Sequence, residues 1–174
     1  MTQYRVNAYH GTIRPFAECI LNYGEFKPST KRIEWLGNGI YFFENLEDAV
    51  WWANTQKKRH GKEGIVLSSI LCCNNDQFMD LDKAVNLKKI INYAKRFTEG
   101  LEKQGKMIPR FSSENIDALR CFWCNVYKRE HPNIKLLAYT FETATETNVG
   151  FRFKQRQFCA VDNSVISEIK EVTS

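Results

Sequence analysis

Leu36-Gly37-Asn38-Gly39-Ile40-Tyr41-Phe42-Phe43-Glu44-Asn45-Leu46-Glu47-Asp48-Ala49-Val50-Trp51-Trp52 changes period within itself. Two glycines at alternate positions open it, a short β-prone segment follows, and the spacing then becomes helical. Glycine at such positions lets the backbone pass where a Cβ would clash, either in a turn or against a ligand. Tyr41 belongs to the strand-like part, and Trp52 lies eleven positions later on the helix. A strand and helix folded back on each other would set these two rings across a slot, a clamp for a flat heteroaromatic ring. Read alone, the stretch favours the plainer alternative, a strand–helix unit whose aromatics are core.

The 174-residue chain has the length of one domain with a sizeable core, expected to cover 1–174. Apolar residues at 43% and aromatics at 13% exclude a disordered chain. No apolar run is long enough to span a bilayer, and Met1 to Val6 contains no apolar segment of the secretory kind. Six cysteines at irregular spacing read as reduced thiols, which places the protein in the cytoplasm. The net charge of +5 is compatible with a polyanionic partner without demanding one. Most of the excess lies in short clusters, at Lys57-Lys58-Arg59, Lys88-Lys89, Lys95-Arg96 and from Lys103 to Arg110.

No repeat or low-complexity linker divides the chain. Tyr4 to His10 reads as a strand running into the Gly11-Thr12 turn, and Pro15 suits the first turn of a helix that Gly24 ends. Glu25 to Trp35 reads as a loop and Gly37–Phe43 as a strand. Asn45 is the expected N-cap of a helix that has Glu47 and Asp48 in its first turn and ends at Gly61. Ile65 to Cys72 is strongly β-prone. Asp80-Leu81-Asp82 is expected to start a long helix with an apolar stripe at Leu87, Ile91, Ala94, Phe97 and Leu101. Ser112 or Ser113 would cap a second long helix, with a stripe at Ile116, Leu119, Trp123 and Val126 or Tyr127. The last forty or so residues read as strands at Lys135–Glu142, Val149–Lys154, Arg156–Val161 and Val165–Val172. Helices in the middle and β segments at both ends predict an α+β fold whose terminal strands share sheets.

Three places could carry chemistry. The first is Tyr9-His10-Gly11-Thr12, where an imidazole, an unhindered backbone amide and a hydroxyl share one small surface. That set can hold a ribose diol and a carboxamide together. The second is Gly37 to Trp52. The third is Gln155-Arg156-Gln157, which heads the apolar strand Phe158-Cys159-Ala160-Val161 and would point polar side chains into a cleft at the sheet edge.

In this order, Tyr-His-Gly-Thr, then Gly-x-Gly-Ile-Tyr-Phe, then Gln-Phe-Cys-Ala-Val-Asp, the three blocks resemble the ADP-ribosyltransferase superfamily. The similarity is to the branch with a His–Tyr–Glu type signature, which includes poly(ADP-ribose) polymerases and diphtheria-type toxins. The matched motifs run from Tyr9 to Asp162. The resemblance implies a split, mixed or antiparallel sheet core flanked by helices, with NAD⁺ as substrate and no metal. It implies that His10 bonds ribose hydroxyls, that the Gly11 backbone reads the carboxamide, and that Tyr41 and Trp52 sandwich the nicotinamide ring. Tyr9, Thr12 and Gly39 would complete the NAD⁺ site, and His10, Tyr41 and Gln157 would form the catalytic signature. The chain departs from the pattern at the third position, where Gln157 stands for the usual glutamate. Glutamine can still bond the ribose 2″-hydroxyl, but it brings no negative charge. Glu142 and Glu146, beside a Thr-rich loop, are candidates for the missing acid and, with Gln155, for acceptor recognition.

The function expected from these residues is mono-ADP-ribosylation of a macromolecule, with the basic clusters favouring RNA or DNA slightly. By size the chain looks like a small bacterial toxin or phage-defence effector, which would need an antitoxin or regulatory protein. The alternatives are a protein-directed transferase, an NAD⁺ glycohydrolase, or a non-catalytic module for NAD⁺ or nucleic acid. Cys121-Phe122-Trp123-Cys124 has half the spacing of a zinc site, yet residues three apart share a helix face, so the pair reads as core.

Overall fold

The computed structural model describes residues 2–106, 115–146 and 152–173. Its framework begins with a long strand, β1 (Gln3–Ile13), followed directly by helix α1 (Arg14–Tyr23). Pro15 sits in the first turn of α1, where its missing N–H costs nothing. Gly24 closes the helix at φ 71°, its N–H bonding Ile20 O at 2.8 Å. The quoted stretch becomes β2 (Ile40–Phe43) and α2 (Leu46–His60), with Gly61 as the C-cap. Asn45 occupies the N-cap of α2 with extended backbone, but its side chain makes no capping bond.

Strand β3 (Gly64–Asn74) leads to a short β4 (Phe78–Asp80). The helix expected from Asp80 therefore starts later: residues 78–80 pair in parallel with β5, and α3 runs Ala84–Lys103. Helix α4 (Ile116–Glu130) is capped by the Asn115 side chain, which accepts from Ala118 N at 3.1 Å, while Ser112 and Ser113 lie outside the described residues. Strands β5 (Leu136–Glu146), β6 (Arg152–Ala160) and β7 (Ile166–Glu171) complete the element order. The two strands expected around Arg156 are one, because the ladder with β5 runs through Gln155, Arg156 and Gln157 without a break.

The strands form one seven-stranded sheet in the order β4-β5-β6-β2-β1-β3-β7. Every pair is antiparallel except β4 with β5. The N- and C-terminal strands do share the sheet, β6 beside β2 and β7 beside β3, so the α+β expectation holds.

Alternation along the strands separates two faces. The first carries Ala8, Phe42, Leu67, Leu71, Leu136 and Phe158, packed against Ala17 and Ile20 of α1 and against Phe26. The second is covered in two parts. Helix α2 sets Ala49 and Ala53 on Phe43 and Val66, with Tyr9 and Trp52 at the margin. On the β4–β5–β6 side, Ile90, Cys124 and Tyr127 pack on Leu137, Phe141 and Cys159. The buried stripes match those expected only in part. Ile90 is buried in α3 while Ile91 is exposed, and in α4 Cys121 and Cys124 are buried while Ile116 is exposed, although Val126 and Tyr127 are buried as expected. Among the described residues no helix is long and apolar enough to cross a membrane.

The loop before β2 is held from three sides. Lys128, buried on α4, donates from Nζ to Leu36 O at 3.0 Å and to Asn38 O. Asn125 Oδ1 accepts from Asn38 N at 2.6 Å. The Tyr41 hydroxyl donates to Gly37 O at 2.6 Å and accepts from Leu36 N at 2.7 Å. Gly37 has φ 78°, and a Cβ there would meet Asn125. A Cβ at Gly39 would meet Cys159 Sγ and would stand 2.7 Å from Ala160 O. The two glycines thus serve close approach to α4 and β6.

Gly39→Ala is expected to lose about 1–3 kcal/mol of stability, as overpacking against a fixed backbone does. Gly100→Ala, mid-helix in α3 with nothing within 4 Å of its Cβ, is expected to gain roughly 0.5–1 kcal/mol instead. Urea unfolding of both variants checks this; a neutral Gly39→Ala would show that the loop is not held as tightly as its contacts require.

Candidate active site

The site grows from one irregularity in the sheet. Strands β1 and β3 pair over their whole length, from Gln3↔Asn74 to Ile13↔Gly64. Strands β2 and β6 pair over all four residues of β2. Between β1 and β2 the ladder is the single pair Tyr9↔Phe43. The sheet is therefore two well-paired halves joined at one point, and beyond Tyr9 a split opens between them.

Ladder alternation shows which groups face that split. Arg14 N donates to Glu63 O at 2.9 Å, so 14/63, 12/65 and 10/67 are the hydrogen-bonded pairs of β1 with β3. Val66, opposite Gly11, gives its carbonyl to Val172 N on its other side. The N–H and C=O of Gly11 therefore point away from β3 and into the split. Glu44 N donates to Arg156 O at 3.1 Å, so 44/156 and 42/158 are the hydrogen-bonded pairs of β2 with β6, and the backbone groups of Tyr41 face β1.

His10 bridges the gap. Its Nδ1 lies 2.7 Å from Tyr41 O, and a carbonyl only accepts, so Nδ1 carries the proton and Nε2 is the free acceptor. The ring is enclosed edge-on by Phe26 at 5.0 Å and lies 5.6 Å from Phe42. Burial pushes the imidazole below its ordinary pKa, and the bond to Tyr41 O opposes that only in part. His10 is accordingly neutral near pH 7.

The remaining candidates divide by face. The side chain of His10 lies on the α1 face with Phe42, whereas those of Tyr41, Gln155 and Gln157 lie on the opposite one. Gly11 is roofed on that second face by α2, where an added Cβ would clash with Ala49 O and stand 2.9 Å from Ala53 N. Tyr41 packs on the α4 side with Leu36 and Cys159, and Trp52 on the α2 side with Phe43 and Ala53, so the two rings flank the split from separate apolar clusters. Arg59 lies over the Trp52 ring at 5.5 Å. The Tyr41 hydroxyl is engaged by the 36–37 backbone, and burial raises its pKa far above the ordinary value. Thr12 is buried on β1, and Gly39 is bridged to Ser29.

Gln155 and Gln157 are both buried and linked. Gln157 Nε2 donates to Gln155 Oε1 at 3.0 Å, and Gln155 Nε2 donates to Asp48 Oδ1 at 3.0 Å. The acid joined to this pair is thus Asp48, in the first turn of α2. The sequence marks Asp48 only as a complement to the helix dipole. Its 107-residue spacing from Gln155 carries no periodic signal, because the two meet only through the fold, when α2 packs across the sheet beside the head of β6. Between the glutamines, Arg156 points to the other face, where it pairs with Asp80 at 3.1 Å, with Glu44 at 3.5 Å and with Asp82. It ties β6 to β4 and to the end of β2.

Glu142 stands further along, paired in register with Lys154. Both line a cleft of about 730 Å³ whose walls include Arg120, Tyr139 and Phe141. Glu146 ends β5 opposite Arg152, and its side chain lies outside the described residues. Cys121 and Cys124 are buried on α4, and burial pushes the Cys124 thiol up to about 12.

No family model matches this chain, and no solved structure matches it. It is 34% identical over 86 residues to an uncharacterized protein of Methanocaldococcus jannaschii, a stretch that covers 48% of this chain and 40% of that protein. The chain thus spans less than half the length of that relative.

The bridge sets a measurable state for His10. Proton–nitrogen correlation spectra of the histidine rings should show His10 as the Nδ1–H tautomer at pH 7, titrating below the ordinary value of about 6.5. Because the folded pKa is depressed, this contribution to stability is complete above the unfolded value and is lost as pH falls through the folded one. An Nε2–H tautomer, or an ordinary pKa, would mean that the imidazole does not span the split.

Proposed function

We propose that this chain is an NAD⁺-dependent mono-ADP-ribosyltransferase with a split-sheet core of that type. The observation that carries the reading is the turned-out backbone of Gly11. A strand residue whose N–H and C=O face an unpaired edge offers one donor and one acceptor side by side. A primary carboxamide offers the same two in reverse, so nicotinamide fits where the next residue of β2 would otherwise pair. His10 beside it presents Nε2 as an acceptor for a ribose hydroxyl. Tyr41 and Trp52 supply ring walls on either side of the split.

In the reaction the bond between ribose C1″ and the nicotinamide nitrogen breaks. Nicotinamide leaves neutral, carrying the electron pair. An acceptor nucleophile forms the new bond at C1″ and loses its proton to solvent, so one proton is released per nicotinamide. Positive charge develops on the ribose as the old bond stretches, so acceptors placed at its hydroxyls stabilise the transition state more than the ground state. Gln157 contributes such an acceptor without charge. The acceptor molecule proposed is nucleic acid, on the +5 net charge and its clustering in short basic runs. A regulatory or antitoxin partner would hold such an activity in check.

Incubation with NAD⁺ labelled in the ADP-ribose part, with separate pools of RNA, DNA and protein, tests this. Label should enter nucleic acid with release of nicotinamide, and His10→Ala should cut the rate about 100-fold, the scale of one lost transition-state hydrogen bond. Label in protein would move the acceptor class. Nicotinamide release with no labelled pool would make the chain a glycohydrolase, and intact NAD⁺ throughout would overturn the enzyme reading.

A further inference from the structure

We propose that Asp48 is a positioning residue that fixes which end of the Gln157 amide faces the substrate. The inference rests on the transferase reading for its catalytic consequence, but the orientation itself follows from bonding rules. A carboxylate has no proton to give, so Asp48 accepts and Gln155 must turn its Nε2 towards it. That leaves Gln155 Oε1 facing Gln157, and an oxygen there requires a donor, so Gln157 must turn its own Nε2 inwards. Gln157 Oε1 takes no part in this relay and becomes the atom the side chain presents outward. One charge on α2 thus sets the polarity of two amides on β6. With both glutamines buried, reversing either would leave two acceptors or two donors face to face, at the cost of unpaired buried polar groups.

This relay accounts for how glutamine serves where glutamate is usual. A glutamine free to flip would offer the ribose hydroxyl a donor as often as an acceptor. Tethered to Asp48 through Gln155, it offers only the carbonyl oxygen. The relay also specifies what a glutamate at this position would need. The carboxylate introduced by Gln157→Glu could only accept, so Gln155 would have to turn its Nε2 to it and its oxygen to Asp48, which has nothing to donate. Asparagine at position 48 removes that conflict, since its amide can donate to the reversed Gln155.

The test is a cycle of four proteins: wild type, Asp48→Asn, Gln157→Glu and the double variant. Thermal unfolding is measured without NAD⁺, and kcat and KM for NAD⁺ are measured separately. Gln157→Glu should lower the melting temperature sharply and cut kcat by about 100-fold. Asp48→Asn alone should have a small effect, because its oxygen can still accept. The double variant should recover most of the melting temperature and bring kcat to within about tenfold of wild type, with KM little changed because the contact strengthens only in the transition state. If Gln157→Glu does not fold, recovery of folding on adding Asp48→Asn is the same result.

Additive losses, or a double variant no better than Gln157→Glu, would overturn the relay. The two proposals fail separately. Recovered stability in a protein that never consumes NAD⁺ keeps the orientation and rejects the activity, whereas activity without recovery does the reverse.

Discussion

Two well-formed half-sheets meet at one pair of residues, Tyr9 and Phe43, and everything at the candidate site follows from the ladder failing beyond it. A continuous ladder would have joined Gly11 to Tyr41 and consumed their backbone groups. Instead the His10 imidazole reaches across to Tyr41 O. The bond holds the halves in place at that point while leaving the Gly11 amide and carbonyl directed into the gap. A buried backbone group without a partner is costly, so such an opening persists only where the surroundings fix it.

Those surroundings are the two clamps on either side. Helix α2 lies so close over β1 and β3 that Gly11 and Gly64 have no room for a side chain, and Ala49 and Ala53 are the residues that fit against them. On the other side, Lys128, Asn125 and the Tyr41 hydroxyl tie the 36–39 loop to α4 and β2. The rims of the split are therefore rigid, and a rigid rim is what a site needs to hold a ligand in one pose. The same approach of α2 brings Asp48 onto Gln155, so the clamp that opens the slot also delivers its charge.

Much of this is legible in the chain. The His-Gly-Thr segment, which reads as a turn but lies inside β1, the glycine-rich entry to β2 and the glutamines heading β6 are each visible as local chemistry, and their order suggests one site. Helix limits at Gly24 and Gly61 are visible because a left-handed C-cap has a glycine signature. Packing is what stays hidden. Ile90 and Ile91 are alike in sequence, and only the angle at which α3 meets β5 and α4 buries the first and exposes the second. The glycines at 37 and 39 read equally as a ligand cradle, and the structure fills their space with Asn125 and Cys159. Glu142 and Glu146 suggest themselves as the acid because they lie near the late strands in sequence, a nearness that says little about which carboxylate reaches Gln155.

Most of the elements are written in local pattern, because periodicity, caps and turn residues act within a few positions of one another; the exceptions, β4 and the unbroken β6, are strands whose extent depends on pairing with β5. The sequence by itself also determined the inventory of chemistry, because a histidine, an amide or a carboxylate keeps its donors and acceptors in any fold. The tertiary structure alone decided which of these groups meet. The split exists because β1 prefers β3 along its whole length and β2 prefers β6, a competition between strands more than fifty residues apart that no local pattern records. The link from Asp48 to Gln157 exists because a helix folds across that split, and its 107-residue step to Gln155 is set by packing alone.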